Sequence, residues 1–263
     1  MKNSLILSIS IITTGCLQFS AQAADGGFWG DHTDVSLGAG AVNKPRYSGS
    51  SQTTWGAVPL VQVHRGAMFI DSTKGIGYDL PIAGGLYLEH SLGYGTGRTE
   101  SDSSWRDGSK KLKGMGNIKG VLNTSLTLGY QFSPRLAVEA MTTLPLTDSQ
   151  GVRYQGSIKG VLWQGNKDEV DLQGDLLFGD HRNNNLFYGV SAQQSKNTSF
   201  NEYNAAGGLY AQSATLSWSH QFTASWSTLA AVDYTLLTDK ADKSQIVDKR
   251  SSFNTTLAVL YTF

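Results

Sequence analysis

The chain has 263 residues, 21 basic and 21 acidic side chains, and a single cysteine, with a mean hydropathy of −0.23. The charge balance argues against a nucleic-acid partner, which would call for a basic excess. Past the first two dozen residues no apolar run is long enough for a membrane helix, but strand spans stay open, because half of a spanning strand's residues face inward and can be polar.

The first residues read as a secretory leader. Met1-Lys2 is a short basic start, the stretch from Leu5 to Ile12 is mostly apolar, and Ala21-Gln22-Ala23 is a small-x-small cleavage site before Ala24. The expectation is a leader over 1–23, cut between Ala23 and Ala24, and one barrel domain over 24–263. A membrane anchor would need ~20 apolar residues. Lipoprotein processing at Gly15-Cys16 is the other alternative, with Thr13 standing where a bulky aliphatic residue is expected. Cleavage removes Cys16, so no disulfide braces the mature chain.

Alternating segments follow. Candidates at 34–42, 55–64, 67–71, 74–79 and 86–96 precede clearer ones. In 118–132, Leu122, Leu126, Leu128, Tyr130 and Phe132 share a face opposite Lys119, Asn123, Ser125 and Thr127. Segments 135–146, 152–163 and 169–178 repeat the scheme. In 208–222, Tyr210, Ala214, Leu216, Trp218 and Phe222 form the apolar face. In 225–237 that face is Trp226, Ala230, Val232, Tyr234 and Leu236. The last segment sets Leu257, Val259, Tyr261 and Phe263 against Thr256, Ala258 and Thr262, with Leu260 an exception on the second face. A strand alternates faces with period two. These segments are ~10 residues long, what a tilted strand needs to cross a bilayer.

Connections come in two lengths. The turns at 132–134 and 223–224 are short and flanked by aromatics. Polar loops at 43–54, 98–116, 195–205 and 238–251 are long. Short turns on the periplasmic side and long loops outside are the plan of an antiparallel transmembrane β-barrel. The count is ten to twelve strands, with twelve preferred and 65–85 deciding it. A soluble lipocalin-like barrel would alternate too, with its apolar face inward. The second face here is rich in Ser, Thr, Gly and Asn, where a solvated exterior would carry more Lys and Glu. The expectation is therefore a barrel in the outer membrane of a Gram-negative bacterium, touching lipid and the barrel-insertion machinery. Leu257, Val259, Tyr261 and Phe263 would form the assembly signal.

The expected lumen holds Glu89, Lys119, Arg135, Glu139, Arg153, Lys159, Glu169, Asp171, Asp175 and Asp233. Both signs are present, so they could pair and fill a narrow barrel or line a water path. Of the histidines, His90 and His220 fall on the lipid face, and only His181 beside Asp180 merits inspection as an acid-histidine pair. No nucleophile elbow, zinc helix, phosphate loop or metal-ligand spacing occurs. No catalytic, cofactor-binding or metal-binding residue is assigned, and the chain is read as non-enzymatic.

Seven short stretches in order resemble the MipA/OmpV family. They are Pro45-Arg46-Tyr47-Ser48-Gly49-Ser50, Val58-Pro59-Leu60, Gly75-Ile76-Gly77-Tyr78 after Phe69, Leu112-Lys113-Gly114-Met115-Gly116, Phe187-Tyr188-Gly189-Val190, Ala206-Gly207-Gly208-Leu209, and a final loop with Asp239, Ala241, Asp242 and Ser244-Gln245-Ile246-Val247. In that last loop Lys243 intrudes and Gln245 replaces the family's proline. The resemblance covers essentially the whole mature chain. It implies an outer-membrane barrel and, in the founding member, a scaffold joining a lytic murein transglycosylase to a penicillin-binding synthase. Other members resemble osmoregulated surface proteins or adhesins, and the mixed-charge lumen keeps a small surface channel open as the alternative. The family supplies no catalytic residues.

Overall fold

The structure is a computed structural model and describes residues 28–263; the expected leader, its cut between Ala23 and Ala24, and Cys16 lie outside the described residues. Strands β1 (Thr33–Pro45), β2 (Thr53–Arg65), β3 (Met68–Asp71), β4 (Gly75–Ala83) and β5 (Leu86–Gly95) precede a long loop. That loop, 96–120, carries a small parallel pair, β6 (Arg98–Thr99) with β7 (Asp107–Gly108). Then come β8 (Val121–Ser133), β9 (Leu136–Pro145), β10 (Arg153–Gln164) and β11 (Asp168–Gly179). Helices α1 (His181–Tyr188) and α2 (Ala192–Asn197) precede β12 (Gly208–Gln221), β13 (Trp226–Leu237) and β14 (Ser251–Thr262). All strands but β6 and β7 form one closed antiparallel barrel of twelve, with β1 paired to both β2 and β14. Closure at the β1–β14 seam runs from Ser36 opposite Thr262 to Asn43 opposite Thr255. The Ser36 and Thr262 hydroxyls meet there at 2.8 Å. Pairing at this seam leaves neither end strand with an unpaired edge for lipid to meet.

Burial decides which face is outside. On β14, Leu257 and Val259 are 53% and 46% exposed, while Ala258 and Leu260 are 4% and 0% exposed. Leu126, Leu128, Ile158, Leu172, Leu176, Leu216 and Val232 continue the exposed apolar belt around the barrel. A water-soluble protein does not carry an apolar belt this continuous. The soluble, apolar-inward barrel is therefore excluded. Aromatic rings bound the belt. At the turn side Tyr130 meets Phe132 at 4.8 Å and Trp226 meets Tyr261 at 5.0 Å, and at the loop side Tyr234 meets Phe253 at 5.0 Å. From Phe253 to Tyr261 the strand rises ~26 Å at ~3.3 Å per residue. At a tilt of ~40° that is ~20 Å of height, close to the ~25 Å apolar band of such barrels.

The inner face is part apolar. Leu60, Leu229, Ala258 and Leu260 form a buried cluster with Val58 against it. The register explains how they meet. Gly38 of β1 lies opposite both Leu60 of β2 and Leu260 of β14, so the two leucines pack across a strand with no side chain between them. A Cβ on Gly38 would stand 2.8 Å from the Leu260 side chain and would also strike the Val259 carbonyl. Leu260, out of pattern in the sequence, is the centre of this cluster.

Three features depart from the sequence reading. Tyr210 was expected on the lipid face. The register slips between Leu177 and Phe178, Tyr210 is the extra residue, and it turns onto Tyr188 at 5.8 Å; a bulge re-aims a side chain in this way. The loop expected at 195–205 runs from 180 to 207 and contains both helices. Finally, β3 has four residues and pairs with β2 only over Gln62–Arg65. The upper part of β2 has no strand beside it on that side among the described residues. Pro59, which has no N–H to donate, lies on this open edge, where proline is tolerated.

Candidate functional site

Two regions carry the chain's distinctive chemistry: a lid over the outer mouth and the polar lumen below it. The lid is woven from four loops. Tyr47 comes from the β1–β2 loop, Leu112 and Met115 from 96–120, Val190 from 180–207 and Ile246 from 238–250, and together they form a buried apolar cluster. A second cluster joins Tyr188 and Ala205 to Ala211, Leu237 and Ala241 at the strand tops. Hydrogen bonds lock the loops to one another. The Tyr47 hydroxyl donates to the Ile246 carbonyl at 2.9 Å, Ser244 to the Tyr188 carbonyl at 2.5 Å, and the Gln194 amide to the Met115 carbonyl at 2.7 Å. Arg98 is buried and donates to the Phe187 carbonyl at 2.5 Å. Lys111 pairs with Asp248 across two loops. Gln245, where the family pattern has proline, accepts from the Asn201 backbone at 2.7 Å and adds a tie of its own. Burial pushes the Tyr47 and Tyr188 hydroxyls up and the Arg98 guanidinium down from their ordinary values.

Local sequence explains why the lid folds. Asp180 caps α1, accepting from the Asn183 backbone at 2.7 Å and also from Val152 at 2.9 Å. Both carboxylate oxygens are thereby committed to backbone. His181 points its Nδ1 at the Ala205 carbonyl instead, at 3.1 Å. The Asp180–His181 pair is thus a helix cap beside a lid contact. Ser191 and Gln194 form a capping box at the start of α2. That S-x-x-Q spacing was readable in the sequence and would have flagged the missed helix.

The lumen charges fall into groups. Glu89 binds Lys74 at 2.5 Å. Glu139 accepts from Lys159 at 2.7 Å and from the Tyr87 hydroxyl at 2.6 Å, so β5, β9 and β10 are tied by one carboxylate. On the other side of β10, Asp175 is held by neutral donors: the Gln155 and Gln173 amides at 2.9 and 2.7 Å and the Ser157 and Ser213 hydroxyls at 2.6 and 3.2 Å. Asp233 accepts from Thr215, Thr235 and Asn254 at 3.2, 2.9 and 2.7 Å. Glu169 takes the Gln164 amide at 2.9 Å, and Asp171 is buried beside it on the same face. The other three expected lumen charges sit elsewhere. Lys119 precedes β8, in the long loop, and is exposed; Arg135 lies in the two-residue β8–β9 turn; Arg153 is the exposed first residue of β10. Lys119 and Arg135 belong to segments whose strands begin later than their alternation, whereas Arg153 is a paired end residue on the same face as Ser157 and Lys159. On the outer face, His90 meets Thr124 at 2.7 Å and His220 meets Asp168 at 2.6 Å.

Residues 37–263 match the family model described as MltA-interacting protein MipA. The chain belongs to that family. Most of the stretches that carried the resemblance in the sequence, those around Tyr47, Leu112, Tyr188, Ala206 and Ile246, meet in the lid. No curated protein matches the chain closely enough to count as a relative. Among solved structures, the NanC porin is 11% identical with a TM-score of 0.40, covering 88% of this chain and 99% of its own. An outer membrane channel from Pseudomonas putida F1 is 10% identical with a TM-score of 0.42, covering 91% and 99%. The KdgM porin is 8% identical with a TM-score of 0.38, covering 88% and 99%. With an apolar exterior, twelve closed strands and this family, the protein is a Gram-negative outer-membrane barrel.

Proposed function

We propose that the protein is a non-enzymatic scaffold of the outer membrane, working with murein hydrolases and synthases from its periplasmic rim. The observation that carries this reading is the lid. Four loops interlocked over a buried apolar core make the barrel a closed body toward the outside, which suits an anchoring platform better than an open diffusion pore. The family's description, an MltA-interacting protein, points to a lytic transglycosylase as the partner class, and the resemblance to the founding member adds a penicillin-binding protein as the second client. The surface left for such partners is the ring of short turns, including Pro134-Arg135 between β8 and β9 and 222–225 between β12 and β13. The test is pull-down of a lytic transglycosylase by the detergent-solubilised protein. Enrichment over an unrelated barrel, weakened by lengthening these turns, supports the scaffold; no enrichment removes it.

A second reading is an adhesin or small channel using the outer loops. Trp105, 77% exposed in the 96–120 loop, favours the adhesive form. Deleting 101–107 and scoring attachment separates the readings, since a periplasmic scaffold does not depend on that segment.

A further inference from the structure

We infer that the middle of the lumen, between β11, β12 and β13, is a binding site for a hard, partly hydrated cation of the alkali or alkaline-earth kind, held by Asp175, Asp233 and the Gln173 amide oxygen. The register builds it. Gln173 of β11 lies opposite Thr215 of β12, and Thr215 lies opposite Asp233 of β13, so the three occupy one row on the inner face. Asp175 is two residues further along β11, on the same face, opposite Ser213.

Two independent observations point to a cation. The first is the character of the donors. Seven hydrogen bonds reach the two carboxylates, and every donor is an amide or a hydroxyl. Neutral donors orient a carboxylate and leave its charge in place. A carboxylate removed from bulk water favours a cation beside it. The basic residue nearest in the register, Lys159, lies opposite Gln173 but is committed to Glu139 on the far side. The second is Gln173 itself. Its side chain is 97% buried, being 3% exposed, its amide nitrogen is used on Asp175, and its Oε1 has no hydrogen-bond partner. A buried amide oxygen without a donor is costly, and this one belongs to the amide that binds Asp175, in the row that ends on Asp233.

The ligand chemistry follows from the oxygens. All are hard donors, with no imidazole or thiolate among them, which selects against zinc, copper and nickel. Among the described residues no three His, Cys, Asp or Glu converge tightly enough to chelate a metal. The ion would thus keep much of its water, as magnesium does when one or two carboxylates hold it. The site is independent of the scaffold reading, and its test does not involve a murein enzyme.

The test uses the full-length refolded barrel in detergent, stripped with chelator and dialysed into a buffer of organic cations. Na⁺, K⁺, Mg²⁺ and Ca²⁺ are titrated singly by calorimetry, with folding checked by heat-modifiable mobility. The expected result is saturable binding of at least one of them near one ion per barrel, weakened tenfold or more by Asp233→Asn and by Gln173→Met. Glu100→Gln, a loop carboxylate, should leave it unchanged. Asp175→Asn is a third variant, and the other two suffice if it fails to fold. Binding of none of the four ions overturns the inference, as does binding that survives Asp233→Asn and Gln173→Met.

Discussion

Replacing Leu260 by alanine tests the inside-outside assignment and the glycine-lined packing together. Leu260 is fully buried among Leu60, Leu229 and Ala258. Removing three carbons forfeits ~2 kcal/mol of transfer free energy at ~0.8 kcal/mol per methylene. A cavity term is added, because the neighbours sit on hydrogen-bonded strands and Gly38 has no side chain to move into the space. The total should be about 3–4 kcal/mol, within the range of buried leucine truncations. Leu257→Ala on the same strand removes the same atoms from the lipid face, where acyl chains flow into the gap. It should lose only the transfer part, ~2 kcal/mol. Urea unfolding from phospholipid vesicles, followed by tryptophan fluorescence and cross-checked by heat-modifiable mobility, measures both. An equal or smaller loss at Leu260 than at Leu257 would refute the inward packing.

Further outcomes follow from other parts of the molecule. Val259→Arg places a charge on the lipid face near mid-strand and should cost ~2–4 kcal/mol by the same unfolding assay; the buried Ala258, packed against Leu229, leaves an arginine no room, so Ala258→Arg should be no milder. Tyr47→Ala removes the ring at the centre of the lid and its bond to Ile246, so proteases should cut 96–120 and 238–250 while the barrel resists; a lid that stays protected would show that Tyr47 does not hold it. Deleting Phe263, whose ring meets Tyr261 at 4.8 Å, should lower the yield of folded barrel in cells, and unchanged yield at native expression would reduce the terminal pattern to a packed strand. Asp102 in the lid is held below the ordinary carboxylate range, first by the Lys110 backbone N–H and then by the Arg46 and Lys110 charges. Its folded value is depressed, so its anchoring is complete above the ordinary value and lost as pH falls through the depressed one; pepsin should cut 96–120 increasingly over that fall, and Asp102→Asn should flatten the dependence.

Alternation made the barrel legible in the sequence, because period-two patterning states which residues share a face and burial then orients the face. It worked wherever the outward face stayed apolar, as in β13 and β14, even though Leu229 and Leu260 make their inner faces part apolar. It failed at Tyr210, since a bulge of one residue inverts the face and leaves no compositional trace. It also overextended β8 and β9, placing Lys119 and Arg135 in the lumen, because a pattern can run past the last ladder bond. The lid was legible only as a set of short stretches in a fixed order. That they meet in space depends on contacts such as Tyr47 to Ile246, 199 residues apart, which no local rule reaches. The uneven lumen was hidden for a similar reason: Lys159 and Glu139 find each other through the register, while Asp175 and Asp233 are given amides and hydroxyls by theirs.

The four-residue β3 makes the wall a ring of unequal links. Long ladders on β1, β12 and β13 share any outward pull over many bonds, whereas the ladder from β2 to β3 pairs only Gln62–Arg65 with Met68–Asp71, and that from β3 to β4 only Met68–Asp71 with Gly75–Tyr78. Local opening follows the least-bonded element. Thermal breathing of this barrel therefore concentrates away from the seam where its two ends meet, and the amides of β3 exchange with solvent before those of the neighbouring staves. Lateral pressure in the bilayer acts on the same joint, so the protein's response to membrane thinning or tension is localised beside the open edge at Pro59.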